Sequence, residues 1–399
     1  MHEVYVYDAV RTSFGKLGGA LSGIRPDDLA KIVISATVER VLELDPTEVD
    51  EVVFGNANGA GEENRNVARM AWLLAGGPVS VPGTTVNRLC GSSLDATIMA
   101  ARQIAIGDAE VMLVGGVESM SRAPWVLPKT ERPFPMQNLE LVNTTLGWRL
   151  INPEMHTPWT VSLGEATEQL REKYGINRER QDEFAAQSHA KAASAWTAGR
   201  YEDLVVTVPG ADLDRDETIR EEVTVERLSA LKPVFRRENG TVTAGNSSPM
   251  NDGASAALLG SAAASTKLGR SPTARIAGWA AAANEPQDFG YAPVEATNRA
   301  LAKAGIQWSD IQAVELNEAF AAQALACLDA WKVDPHIVNS WGGAVALGHP
   351  LGASGTRLLG TLAARLRSEG LRWGVASLCI GVGQGLAIVL ENVATERKQ

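Results

Sequence analysis

Cys90 combines a reactive residue type with a setting that favours chemistry. It lies in the segment NRLCGSSLDA, where a β-like TTVN stretch passes through a short turn into an apolar helical pattern. A thiol at the start of a helix faces unpaired backbone N–H groups, which favour the thiolate and predict a lowered pKa for Cys90. We therefore predict a nucleophile at this position, with a small buried cysteine as the alternative.

His349 is the candidate base. It lies in GGAVALGHPLGASG, whose glycines allow the backbone to pass close to a reacting centre. Pro350 restricts His349 to extended conformations and so limits the directions of its imidazole. Histidine is the usual base at neutral pH. The other four histidines lack such a setting, and we predict structural or surface roles for them.

Two further residues follow apolar segments that we interpret as strands. Cys379 lies in SLCIGVGQG, where glycines flank the end of the segment, and Asn317 directly follows AVEL. The Asn317 amide could hold a water or a carbonyl oxygen, although asparagine is also common in turns and caps. Cys327 lies at an apolar helical position and is predicted to be core. A Cys/His pair also occurs in cysteine proteases and metal sites, but no local motif supports either alternative here.

The composition limits the classes of function. The chain has 399 residues, 45% hydrophobic and 21% charged, with a formal net charge of −10. Because no long basic block is present, we expect no nucleic-acid partner, and because no apolar run is long enough for a span, we expect no membrane partner. Three distant cysteines argue against a disulfide framework. These features predict a soluble protein of a reducing compartment, most simply the cytoplasm.

The elements around these residues indicate an α/β fold that is built twice. The first half begins with a strand at VYVY, a helix from Pro26, and the strand VVF. TTVN, the helix after Cys90 and the strand VMLVGGV complete a β-α-β-α order. The second half repeats this order, with HIVN matching TTVN as a strand and GVASLCIGVG matching EVMLVGGVES. Two similar halves predict a site where they meet.

The character of the chain changes between the halves. Proline-rich stretches are followed by a charged helical segment and by DLDRDETIRE, which we interpret as solvated. We predict an N-terminal half at 1–117, completed by 246–270, an inserted loop domain at 118–245, and a C-terminal half at 271–399. Such an insertion commonly caps a ligand site, and a surface or oligomer-contact lobe is the alternative.

At this point the motifs identify a family. NRLCGSSLDA, VGGVESMSRAP, GNSSPMNDGA, NEAFAAQ, GGAVALGHPLGASGTR and CIGVGQG occur in this order, and the chain resembles the thiolase family of acetyl-CoA acyltransferases along nearly its whole length. The resemblance implies an α/β thiolase fold, with two βαβαβαββ halves in five layers and an inserted loop domain. It also implies a homodimer or homotetramer that uses acyl-CoA and CoA as substrates, with no metal and no other cofactor.

The resemblance also implies a role for each motif residue. Cys90 would accept the acyl group, His349 would take its proton, and Cys379 would move a proton at the acetyl α-carbon. Asn317, through a water, and His349 would stabilise the enolate oxygen. The backbone N–H groups of Cys90 and Gly381 would form the other oxyanion hole. These roles agree with thioester chemistry, in which a covalent intermediate divides the reaction and each oxyanion needs placed donors.

Other residues match positions that contact the substrate in the family. Ser248 corresponds to a serine that contacts pantetheine, Arg220 to a residue near the nucleotide of the coenzyme, and Phe320 belongs to the NEAF motif. Leu163 stands where the family has a methionine above the thioester. Further departures are Ser93, at a common glycine position, and Trp341, at a common asparagine position.

Within the family, three stretches look most like 3-oxoadipyl-CoA thiolases: GNANGAGEENRNVARMAWLLAG, TTLGWRLINPEM and CIGVGQG. General 3-ketoacyl-CoA and acetoacetyl-CoA thiolases stay open as alternatives, as do a thiolase-like acyl-CoA-binding protein without turnover and a condensing enzyme for carrier-protein substrates. A dicarboxylic substrate needs a partner for its distal carboxylate, since burying that charge alone is costly. Arg65, Arg69 and Arg149 are the candidates, and we favour Arg149, beside the apolar ring of Trp148.

Overall fold

A computed structural model describes residues 1–41 and 43–393, and it contains both helices and strands. The strands are β1 Val4–Thr12, β2 Gly15–Lys16, β3 Glu51–Gly55, β4 Gly83–Val86, β5 Val111–Ser119, β6 Trp125–Val126, β7 Val142–Asn143, β8 Val205–Val206, β9 Asn251–Ser261, β10 Ala274–Ala283, β11 Ala313–Leu316, β12 Trp373–Ile380 and β13 Gln384–Asn392. The helices are α1 Pro26–Glu39, α2 Val67–Leu74, α3 Ser92–Ile106, α4 Leu163–Lys173, α5 Arg178–Thr197, α6 Val225–Ser229, α7 Ala264–Leu268, α8 Ala292–Ala304, α9 Ala321–Trp331, α10 Ala344–Leu347 and α11 Ser354–Ser368.

The main sheet shows the duplication that the sequence predicts. Its order is β11-β12-β13-β10-β1-β9-β5-β3-β4. Read outward from the centre, β1-β9-β5-β3 in the first half corresponds to β10-β13-β12-β11 in the second. The halves join where β1 and β10 pair antiparallel, through Val4–Ile276, Tyr5–Arg275 and Val6–Ala274. The α/β, duplicated fold class is confirmed.

The prediction of a strand at HIVN is wrong. Pro335–Ile337 form a 3₁₀ turn, and a single bridge between Val338 and Val314 is all that corresponds to β4 of the first half. The side chain of Asn339 takes the place of further strand pairing. Its Oδ1 accepts from the Leu316 N–H at 2.9 Å, and its Nδ2 donates to the Leu316 carbonyl at 2.8 Å.

Two helices, α3 and α11, lie in the centre of the molecule, and the segments that precede them contain Cys90 and His349. Leu94 and Ile98 of α3 share one core cluster with Leu358 and Leu362 of α11 and with strands of both halves. The helices touch closely at Gly355, where a Cβ would lie 2.2 Å from the Leu94 nitrogen, so no larger residue fits there. Because both helices are buried almost all round, their N-terminal ends are held firmly relative to each other.

The segment 118–245 contains short strands and the helices α4, α5 and α6. Its acidic stretch is not wholly solvated, contrary to the prediction, because Asp216 is buried. The Asp216 carboxylate accepts from both Nη atoms of Arg11, at 2.6 and 2.8 Å, and so ties this segment to β1. The predicted domain boundaries stay a prediction, and their last positions, 394–399, lie outside the described residues.

Candidate active site

Cys90 lies in a tight turn between β4 and α3. Leu89–Gly91 form one 3₁₀ turn, in which Leu89 has a φ of 47°. The Ser92 hydroxyl accepts from the Arg88 N–H at 2.9 Å and donates to the Leu89 carbonyl at 2.6 Å. This local bonding fixes the turn and holds the thiol at the start of α3, as the sequence predicts.

Cys90 opens onto a cavity of about 270 Å³. Its walls come from the loops after β3 and β4, the segment after β7, the start of α4 and the β12–β13 turn. The lining residues are Ala57, Asn58, Asn87, Leu89, Cys90, Glu118, Thr144, Thr145, Leu146, Gly147, Trp148, Arg149, Leu163, Leu351, Gly381 and Val382. The cavity is therefore mainly apolar, with a few polar groups placed around one thiol, which is typical of a small-molecule site.

The Cys90 thiol does not have the lowered pKa that the sequence predicts. Burial raises its pKa to about 11, although the backbone N–H groups of Gly381 and of Cys90 itself act in the opposite direction. The prediction failed because the helix terminus competes with desolvation, and here desolvation is larger. The thiol is therefore neutral at rest, and its activation requires a base.

Cys379 lies at the end of β12 and is fully buried. It packs with Phe289, Ala319 and Leu163. Burial raises the pKa of the Cys379 thiol well above its ordinary value, and the nearby Cys90 raises it further. The structure thus brings the two cysteines close together, and Cys379 holds its proton at neutral pH, as a proton donor must.

Asn317 and His349 form the second polar pair of the site, and both are buried. Asn317 directly follows β11, and its Nδ2 lies 3.3 Å from His349 Nε2 and 3.5 Å from Nδ1. The backbone N–H of His349 donates to Asn251 Oδ1 at 2.9 Å, which fixes the loop before Pro350. The side chains that the sequence predicts from two separate motifs are therefore neighbours.

The hydrogen bonds of Ser354 assign the proton on the His349 ring. The Ser354 hydroxyl donates to the Pro350 carbonyl at 2.9 Å and lies 2.6 Å from His349 Nδ1. Since the hydroxyl has only one hydrogen, it accepts from Nδ1–H, and Nε2 carries the free lone pair. Burial, and secondarily the positive charge of Arg357, lowers the His349 pKa to about 3, so the ring is a neutral base at rest.

Glu118 is a buried carboxyl in the cavity wall that the sequence analysis missed. It accepts backbone N–H bonds from Ala57, Asn58 and Gly352, at 2.9, 3.1 and 2.9 Å. Burial raises its pKa to about 7. Its signal was an acidic residue at the end of the apolar run VMLVGGV, and its bonds join the loop after β3 to the loop after His349.

The predicted substrate contacts divide into two groups. Leu163 lines the cavity, and Phe320 packs with Cys379 while its ring stands edge-on to Phe289. The Ser248 N–H donates to the Ala319 carbonyl at 2.9 Å, beside Phe320. Arg220, by contrast, is exposed and is not among the described residues that line the cavity.

The three arginine candidates are also separated by the structure. Arg149 lines the cavity together with Trp148, and its Nη1 donates to the Thr144 carbonyl at 3.1 Å. Arg69 instead donates to the carbonyls of Val79 and Val81, and Arg65 is exposed. The cavity lining, as far as the chain is described, includes Arg149 alone of the three.

The two remaining departures from the family lie away from the cavity lining. The Ser93 hydroxyl accepts from the Thr356 N–H at 3.0 Å and so joins α3 to α11. Trp341 is buried against Tyr201, and its indole N–H donates to Glu369 at 2.8 Å. Both residues therefore make packing contacts within the protein.

Within residues 1–41 and 43–393, no group of three or more His, Cys, Asp or Glu side chains is arranged to hold a metal ion. Over the same residues, no helix combines the length and the apolar character that a membrane span requires.

The site thus combines a cysteine at a strand-to-helix turn, a histidine with a neighbouring amide, and a second buried cysteine. Together with the duplicated fold, this set of groups is that of a thiolase-type site. The family models agree: the thiolase N-terminal domain matches residues 4–263, and the thiolase C-terminal domain matches residues 270–392. The chain belongs to the thiolase family. It is an acyltransferase whose substrates are CoA thioesters.

Among characterised relatives, the chain is 48% identical to the beta-ketoadipyl-CoA thiolase of Pseudomonas putida, over 98% of this chain and 100% of that protein. It is 46% identical to the 3-oxoadipyl-CoA/3-oxo-5,6-dehydrosuberyl-CoA thiolase of Escherichia coli K12, with the same coverage. A crystal structure of the Bacillus anthracis acetyl-CoA acetyltransferase superposes with a TM-score of 0.92 at 38% identity, covering 98% of this chain and 99% of that one.

Proposed function

We propose that this thiolase cleaves a dicarboxylic 3-ketoacyl-CoA, of which 3-oxoadipyl-CoA is the best candidate. The observation that carries the proposal is the presence of Arg149 in the lining of the cavity that contains Cys90. A cationic residue in the lining of an apolar cavity that also contains the nucleophile suits an acyl chain that ends in a carboxylate. The relatives that act on such substrates by name support the same assignment.

The proposed mechanism begins with acyl transfer to Cys90. His349 Nε2 takes the Cys90 proton, and the thiolate attacks the keto carbon of the substrate. The resulting oxyanion accepts from the backbone N–H groups of Cys90 and Gly381. The C2–C3 bond then breaks, which leaves an acyl-Cys90 and the enolate of acetyl-CoA.

The second stage returns Cys90, His349 and Cys379 to their starting protonation states. Asn317, through a water, and His349 stabilise the enolate oxygen, while Cys379 donates its proton to the enolate carbon. Once acetyl-CoA has left, His349 returns its proton to the Cys379 thiolate, and a free CoA thiol then gives its own proton to His349 as its sulfur attacks the acyl-Cys90. His349 returns its proton to the departing Cys90 sulfur, so all three groups regain their starting states.

On the coenzyme side, we propose that Ser248 contacts the pantetheine arm, with Leu163 and Phe320 beside the thioester. Arg220 is assigned to the nucleotide end, where an exposed cation can meet a phosphate. No metal and no cofactor other than the CoA substrates take part. A cytoplasmic location is proposed as well, supported by the three free cysteines, Cys90, Cys327 and Cys379.

The substrate assignment is tested by thiolysis kinetics on three substrates: 3-oxoadipyl-CoA, acetoacetyl-CoA and a longer monocarboxylic 3-ketoacyl-CoA. We expect the highest kcat/KM for the dicarboxylic substrate. A preference for acetoacetyl-CoA, or for the longer chain, would assign the protein to the corresponding alternative within the family.

The role of Arg149 is tested by Arg149→Ala. A charge-assisted hydrogen bond is worth about 1.5–3 kcal/mol, so KM for 3-oxoadipyl-CoA should rise by roughly 10–100-fold. KM for acetoacetyl-CoA should stay nearly unchanged because that substrate has no distal carboxylate. Arg65→Ala, at an exposed arginine of the other candidate stretch, serves as the control. Equal effects of Arg149→Ala on both substrates would show that Arg149 has only a structural role.

We propose that the chain forms a homodimer or homotetramer, with the segment 125–141 contributing to a contact between copies. Six large apolar side chains of this segment are exposed: Trp125, Leu127, Phe134, Met136, Leu139 and Leu141. Such a concentration of exposed apolar side chains in one segment is typical of a surface that binds another protein. Phe134→Ser combined with Met136→Ser should lower the mass measured by sedimentation equilibrium. An unchanged mass would exclude this segment as a contact.

A further inference from the structure

Arg357 is a buried cation directly behind the Asn317–His349 pair. It lies in the first turn of α11 and is 2% exposed. Its Nη2 donates to Asn317 Oδ1 at 3.3 Å, while Asn317 Nδ2 points to the ring of His349. An arginine at this depth carries a large desolvation cost, which indicates that a specific requirement keeps it there.

Pairing with an acid does not satisfy this arginine. Glu315 is buried nearby, but its Oε1 accepts from Arg365 Nη1 at 2.7 Å, whereas its Oε2 lies 3.9 Å from Arg357 Nη1. Within the described chain, the Nε and Nη1 atoms of Arg357 have no hydrogen-bond partner. The bond to Asn317 is thus the hydrogen bond that the guanidinium makes with the site.

We propose that Arg357 is a positioning residue that orients the Asn317 amide for stabilisation of the enolate. An asparagine amide can rotate to exchange its oxygen and nitrogen, and these two atoms have opposite hydrogen-bonding roles. A guanidinium has donors only, so it binds Oδ1 and directs Nδ2 towards the side of His349 where the enolate oxygen forms. The fixed positive charge also favours the anion that develops there.

The proposal rests on the proposed roles of Asn317 and His349, and it predicts a selective defect. Exchange of label between acetyl-CoA and CoA needs Cys90, His349 and the backbone oxyanion hole, but no enolate. Thiolysis of a 3-ketoacyl-CoA needs the enolate as well. Loss of the orienting bond should therefore slow thiolysis and leave exchange intact.

The experiment compares kcat for thiolysis with kcat for exchange in Arg357→Gln. Direct loss of one oxyanion donor costs about 10²–10³-fold, so we expect the ratio to fall by roughly 10–10²-fold with little change in KM. Arg357→Lys restores the cation and should recover part of the ratio, and it also serves if Arg357→Gln does not fold. Equal loss of both activities, or of neither, would overturn the proposal.

Arg365→Gln is the matched control. Arg365 is equally buried on the same helix and binds Glu315, but its hydrogen bonds do not include Asn317. This variant should lower Tm while keeping the wild-type ratio of the two activities. A fall in the ratio as large as that of Arg357→Gln would show that any buried charge on α11 has this effect, and would refute the assignment.

A double-mutant cycle tests whether Arg357 acts through Asn317. In an Asn317→Ala background, Arg357→Gln should cause little further loss of thiolysis because the group that it positions is absent. Fully additive losses would contradict the proposal. If the wild-type protein shows exchange but no thiolysis of any 3-ketoacyl-CoA, the proposed function fails, and this result differs from every outcome expected for Arg357.

Discussion

Cys90→Ala is expected to abolish both thiolysis and acetyl-CoA/CoA exchange, since both proceed through the acyl-cysteine. Loss of a catalytic nucleophile in a comparable covalent mechanism costs on the order of 10⁶-fold in kcat. No other thiol lines the cavity walls in the described chain, so no neighbouring cysteine is placed to replace the nucleophile.

The matching experiment uses [¹⁴C]acetyl-CoA, followed by digestion and mass spectrometry. Label should appear on the peptide that contains Cys90, and Cys90→Ala should remove it. Cys327→Ala is the control because Cys327 is an equally buried cysteine, in α9, whose thiol donates to the Gly290 carbonyl at 3.3 Å. Label on Cys379 or Cys327 in the wild-type protein would refute the assignment of the nucleophile.

The sequence predicts the local surroundings of Cys90 and Cys379 well because both depend on short-range signals. At Cys90 a strand, a turn and a helix follow one another within about twenty residues, and glycines mark the turn after Cys379. The duplication is visible for the same reason, since each half repeats its own local order of elements. These features need no knowledge of distant contacts.

The failures involve contacts between residues that are distant in the sequence. Asp216 is buried because Arg11, 205 positions earlier, binds its carboxylate. The predicted direction of the Cys90 pKa shift is wrong because desolvation depends on the whole surrounding fold. The periodicity of the sequence does not reveal that desolvation. At HIVN, the side chain of Asn339 satisfies the Leu316 backbone and makes a longer strand unnecessary.

The residues of the site show the same limit of prediction from sequence. Sequence motifs supply Cys90, His349, Cys379 and Asn317, to which the proposed mechanism gives the reacting and stabilising roles. They do not reveal that Ser354 sets the His349 tautomer, because that role depends on where a single hydroxyl hydrogen points. Residues that act through another residue leave a weaker signal in a single sequence than residues that react themselves.

The largest selective effect is expected for Cys379→Ser. A serine hydroxyl is a much weaker acid than a thiol, so it cannot readily give a proton to the enolate carbon. Loss of a general acid costs roughly 10²–10⁴-fold, and we expect this loss in kcat for thiolysis. Acylation of Cys90 should persist because its proton passes to His349 and then to the departing CoA sulfur, a route that does not include Cys379.

Two measurements on Cys379→Ser separate these steps. Exchange of label between acetyl-CoA and CoA should stay within about threefold of wild type, since transfer to Cys90 needs no carbon acid. Deuterium uptake from D₂O into the acetyl methyl group should be lost, because that uptake requires proton transfer at the α-carbon. If exchange falls as far as thiolysis, Cys379 is needed for acylation itself. Cys379 would then act on the transfer of the acyl group to Cys90 and not on the enolate carbon.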